Sequence, residues 1–146
     1  MSEAELKHRM KSFAVRVLRL GDALPRGRAG DIIARQLIRC GTSIGANYRA
    51  ACRAKSPADF VAKLAIAEEE ADEVTYWLDL VTEAKLVKPP RLDALRKEAN
   101  ELTAILVASI KTARRACPVS SRRSAAGANP KSKIQNPKSQ GGVAPC

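Results

Sequence analysis

Gln36 to Leu86, QLIRCGTSIGANYRAACRAKSPADFVAKLAIAEEEADEVTYWLDLVTEAKL, decides the fold. Apolar residues recur at three- and four-residue spacing on both sides of one break, Lys55-Ser56-Pro57. That period belongs to amphipathic helices rather than strands. The first helix of the pair should run from about Arg28 to Ala54, with a seam of Ile33, Leu37, Cys40, Ile44, Asn47 and Ala51. The second opens on Ser56-Pro57-Ala58-Asp59: a serine N-cap, a proline at the first helical position and an acid in the first turn. Its seam is Phe60, Leu64, Ala67, Ala71, Val74, Leu78 and Val81, widened by Trp77 and Leu80.

Working outward, Glu5 to Leu24 repeats the pattern with Leu6, Met10, Phe13, Val17, Leu20 and Leu24, and Pro25-Arg26-Gly27 stops it. Beyond Lys88-Pro89-Pro90 a last helix spans about Leu92 to Arg115, with Leu92, Leu95, Ala99, Leu102, Leu106 and Ala113 on one face. Four long helices with three short breaks imply an all-α, antiparallel up-down-up-down four-helix bundle over residues 1–116. With aromatics at 3% of the chain, the core must be built of small aliphatic side chains, which suits closely packed helices. Gly41 and Gly45 interrupt the second helix at roughly 1 kcal/mol each relative to alanine, so a close helix–helix approach is expected there. Asn47 falls on the apolar seam, where its amide needs a hydrogen-bonding partner.

Residues 117–146 lose the pattern and are rich in Ser, Pro, Gly, Lys and Asn. A disordered, basic low-complexity tail is expected. Asn129-Pro130-Lys131-Ser132 returns as Asn136-Pro137-Lys138-Ser139. The rival reading of the tail is a basic arm for nucleic acid, since it holds five cations and no acid.

The formal net charge of +11 is unevenly spread. Residues 1–55 carry twelve cations against four carboxylates, residues 56–86 two against eight, and residues 87–116 seven against three. On the second helix Arg28, Arg35, Arg39, Arg49 and Arg53 share a line opposite the seam, spanning roughly 37 Å. On the third, Glu69, Asp72, Tyr76, Asp79 and Glu83 form an outward acidic line. One reading makes both lines solvated faces. In the other, the arginines meet phosphates of DNA or RNA, or the acidic line of a neighbouring subunit in a head-to-tail ring.

No catalytic set is legible. His8 is the sole histidine, so Glu5-Leu6-Lys7-His8 lacks the second Glu-x-x-His element of a di-iron bundle. No Cys pair has zinc-ligand spacing, and Cys40 and Cys52, roughly 18 Å apart along one helix, are beyond disulfide reach. No metal, no cofactor and no enzyme activity are expected. MSEAELKHRMK has no signal-peptide core and no apolar run spans a bilayer, so no membrane partner and a cytoplasmic location are expected.

Residues from about Leu6 to Arg115 resemble the small bacterial four-helix bundle proteins related to those encoded in intervening sequences of 23S ribosomal RNA genes. The resemblance rests on Gln36-Leu37, Ser43-Ile44-x-x-Asn47, Ser56-x-x-x-Phe60 and Ala67-Glu68-Glu69-Glu70-Ala71-Asp72-Glu73 with Tyr76-Trp77-Leu78. It implies a left-handed bundle that assembles as a homopentamer and transfers no catalytic residues. A related branch, the accessory proteins of diversity-generating retroelements, implies nucleic acid and a reverse transcriptase as partners. The chain departs from the family pattern after Asn47, where Tyr48-Arg49-Ala50-Ala51 stands in place of Ile-Ala-Glu-Gly.

Overall fold

The computed structural model describes residues 1–117, and among these there is no strand. The expectations for the tail, from Pro118 onward, lie outside the described residues. Four helices follow one another: α1 (Glu3–Ala23), α2 (Arg28–Ala51), α3 (Pro57–Glu83) and α4 (Asp93–Ala116), with a single 3-10 turn at Pro89–Arg91 before the last. They form the expected antiparallel bundle.

Local chemistry sets each boundary. α1 begins two residues earlier than its apolar seam indicates, because Ser2 and Glu5 form a reciprocal capping box. The Glu5 amide donates to Ser2 Oγ at 3.2 Å, and the Glu5 carboxylate accepts from the Ser2 amide. Gly27, at φ +143°, turns the chain into α2 through a conformation that other residues rarely adopt. α2 stops at Ala51, three residues short of expectation, where the amides of Arg53 and Ala54 turn back in tighter three-residue bonds to Ala50 O (3.1 Å) and Ala51 O (2.9 Å). Arg53 therefore stands in the turn beyond the helix. Ser56 caps α3 as expected, its Oγ accepting from the Asp59 amide at 3.1 Å. The end of α3 is a Schellman closure: the amide of Leu86 donates to Val81 O at 3.1 Å and that of Lys85 to Thr82 O at 3.0 Å. The left-handed position in this closure is held by Lys85 (φ 53°) where glycine is commonest.

The core is one continuous cluster of mostly aliphatic side chains, with Phe13 and Met10 the largest of those fully buried. α2 packs against α1 and α3, and α3 against α2 and α4, whereas α1 and α4 are the least closely packed of the neighbouring pairs. That open seam is fastened by Arg9, whose guanidinium donates to Glu98 (2.6 and 3.0 Å) and to Glu101. The close approach expected at the α2 glycines occurs at Gly41, where a Cβ would fall 2.7 Å from Val17 Cγ1. On the α2 seam, Tyr48 rather than Asn47 is the buried residue. Asn47 sits half-buried beside it, its amide donating to Ser43 O (3.0 Å) and Ser43 Oγ (2.9 Å).

Candidate functional site

Every arginine of the α2 line is exposed, but the line is not uniform. Arg39 turns sideways onto α3. Its Nη1 donates to both oxygens of Glu70 at 3.1 Å and its Nη2 to Glu73. Glu73 also accepts from Trp77 Nε1 at 3.0 Å. The Arg39 guanidinium, and then the indole N–H, hold the Glu73 carboxyl below the usual carboxylate range. Arg39 is thus a clamp between α2 and α3, and its donors face the protein's own carboxylates.

Among the described residues, no carboxylate lies within ion-pair distance of Arg28, Arg35, Arg49 or Arg53. Arg35 makes only a 3.5 Å contact from Nε to the Asp31 carbonyl. From Arg28 to Arg49 the free cations extend over roughly 32 Å of helix.

The acidic line on α3 is similarly mixed. Asp79 accepts from Arg96 Nε at 3.0 Å, and Arg96 also donates to Thr82 Oγ1 at 2.9 Å. Glu69, Asp72 and Glu83 are exposed and have no cationic partner among the described residues. Tyr76 stands between them, 59% exposed, with its ring edge-on to Trp77.

A feature that no helix shows by itself is the outer groove between α1 and α2. It has a volume of about 450 Å³ and is bordered by Lys7, His8, Lys11 and Arg49. The available sequence signal was the i, i+4 pair Lys7–Lys11 on the flank of α1 beside its seam. Only the antiparallel packing of α1 on α2 brings that pair to Arg49.

The cysteines offer no reactive centre in this region. Cys40 is buried, and desolvation pushes its thiol up to about 12. Cys52 is half-buried, and burial raises its thiol as well. No helix among the described residues is long and apolar enough to cross a membrane.

Comparison with known proteins agrees with the architecture. The family model described as 23S rRNA-intervening sequence protein matches residues 2–108. A crystal structure from Bacteroides thetaiotaomicron, of a protein with unknown function from the S23 ribosomal protein family, is 35% identical. It superimposes with a TM-score of 0.71, over 76% of this chain and 99% of that one. No curated protein matches significantly.

Proposed function

Starting from the fact that the chain belongs to the 23S rRNA-intervening sequence protein family, we propose that it is a non-enzymatic, self-assembling bundle that binds the phosphate backbone of nucleic acid along the outer face of α2. The observation that carries this is the contrast among its arginines. Arg9, Arg39 and Arg96 are engaged by the protein's own carboxylates. Arg28, Arg35, Arg49 and Arg53 are presented to solvent without such partners among the described residues. Unneutralised guanidinium groups spaced along a straight rod suit a regularly charged polymer, because each can form paired hydrogen bonds to a phosphate and release its counterions. The segment before Ser56 holds most of the excess positive charge, which adds long-range attraction to polyanions.

The test is the salt dependence of binding to mixed-sequence DNA and RNA. Replacing Arg35 and Arg49 together by glutamate should weaken binding. It should also flatten the slope of log K against log salt by about 0.9 for each duplex phosphate that is no longer neutralised. An unchanged slope refutes the role of these arginines. A second reading is favoured by exposed Tyr76 among unpartnered Glu69, Asp72 and Glu83: this α3 face docks a neighbouring subunit or another protein. Sedimentation of Tyr76→Ser separates the two, since loss of subunits with nucleic-acid binding retained assigns the face to assembly.

A further inference from the structure

The glycines of α2 do not all have the same reason to be there. A Cβ on Gly30 would lie 1.9 Å from the Pro25 carbonyl oxygen, and one on Gly41 would lie 2.7 Å from Val17 Cγ1. Close packing within the chain therefore demands both. At Gly45 the nearest atom would be Met10 Cβ at 3.5 Å, an ordinary van der Waals contact. Alanine would fit, and would favour the helix by about 1 kcal/mol. Among the described residues, nothing in the protomer accounts for this glycine. It lies in the groove between α1 and α2, with Ala14 and Ala46 beside it and Lys7, His8, Lys11 and Arg49 around it. Among the described residues no carboxylate lines the groove; Glu3, one turn away, holds Lys7.

We propose that this groove is the seat of a nucleic-acid backbone, a deepening of the α2 reading and dependent on it. A ribose-phosphate chain fits its chemistry on both counts. The phosphates lie among the cations, and the absent side chain at Gly45 lets the sugars come down beside Ala14 and Ala46. Arg49 belongs both to the groove and to the α2 line, so the two make one track. Among the described residues the track holds no Phe, Tyr or Trp, since Tyr48 is buried and Tyr76 and Trp77 lie on α3, and His8 is its one ring. With cations outnumbering rings, the track suits backbone more than bases, and sequence preference should be weak. The other anion in view is the acidic α3 face of a second copy. It is the weaker fit, because Asp79, in the middle of that line, is already held by Arg96.

The test uses the full chain with short mixed-sequence DNA duplexes and RNA single strands. Gly45→Leu fills the groove without altering charge, and Lys11→Glu alters the rim at an exposed position. Each should weaken binding tenfold or more. Gly45→Leu should also flatten the salt slope although no charge has been removed, because the filled groove keeps phosphates away from its rim. Wild-type affinity in both variants, with Arg28→Glu and Arg35→Glu still weakened, overturns the groove and leaves the α2 reading intact. Absence of binding by the unaltered chain overturns both. Loss of subunits from Gly45→Leu in sedimentation makes the groove a contact between copies and overturns this assignment.

Discussion

Gly41 and Gly45 lie one helical turn apart on α2, and substituting each by alanine should move stability in opposite directions. The propensity gain is the same at both sites, about 1 kcal/mol in favour of alanine. The surroundings differ. At position 41 the new methyl meets Val17 at 2.7, 2.9 and 3.0 Å, from Cγ1, Cγ2 and Cβ. A helical valine has one strongly favoured rotamer, so Val17 cannot swing aside and the two helices must part. Overpacking of that kind costs about 1–3 kcal/mol, and the rigidity of the neighbour places this case at the upper end. Gly41→Ala should therefore be destabilising by about 1–2 kcal/mol net, and Gly45→Ala stabilising by up to about 1 kcal/mol. At about 4 °C per kcal/mol for a chain of this size, the two melting temperatures should differ by roughly 8–12 °C. Urea or thermal unfolding followed by circular dichroism at one fixed protein concentration measures this, since self-association makes stability concentration-dependent. Val17→Ala supplies the control. In that background Gly41→Ala should turn neutral or stabilising, with a coupling of at least about 1 kcal/mol. A Gly41→Ala variant that melts higher than the parent, or zero coupling to position 17, refutes the packing account.

Arg39→Ala, which strands Glu70 and Glu73, should destabilise by about 1 kcal/mol, while Arg35→Ala should stay within about 0.5 kcal/mol in the same unfolding assay; equal effects would show that the Arg39 clamp is not structural. Lys85→Gly should stabilise by up to about 1 kcal/mol by relieving the left-handed position that closes α3, and a lower melting temperature would contradict that conformation. Glu98 is held below the usual carboxylate range by hydrogen bonding to Arg9. Its folded value thus lies beneath its unfolded one, so its contribution is complete above the unfolded value and disappears as pH falls through the depressed folded value. Glu98→Gln should consequently lower the melting temperature at neutral pH and flatten its decline between about pH 5 and pH 3, and an unaltered decline would remove Glu98 from the acid response.

Much of this molecule is legible one helix at a time, because a period near 3.5 residues fixes which side chains face the core. Leu37, Cys40, Ile44, Ala67, Ala71 and Val74 all lie where that period puts them. The errors arise where two helices meet. Asn47 and Tyr48 both follow Ile44 at seam-compatible spacing, three or four residues on, and only the packed neighbours select the tyrosine. Arg39 projects outward on a single helix, yet its long side chain reaches Glu70 and Glu73 once α3 is laid beside α2. The register that decides this can be counted from the hairpin. Antiparallel helices joined by a short turn pair residues so that each step along one is a step back along the other. From the contact of Arg39 with Glu73, four residues back along α2 brings Arg35 level with Trp77, and ten residues on brings Arg49 level with Lys63. Lys63 is itself paired with Asp59. Neither Arg35 nor Arg49 therefore meets a carboxylate across α3, and on its other side Arg49 meets Lys7 and Lys11 of α1 across the groove. The same register that neutralises Arg39 leaves Arg49 beside Lys7 and Lys11, a cationic cluster that no single helix reveals.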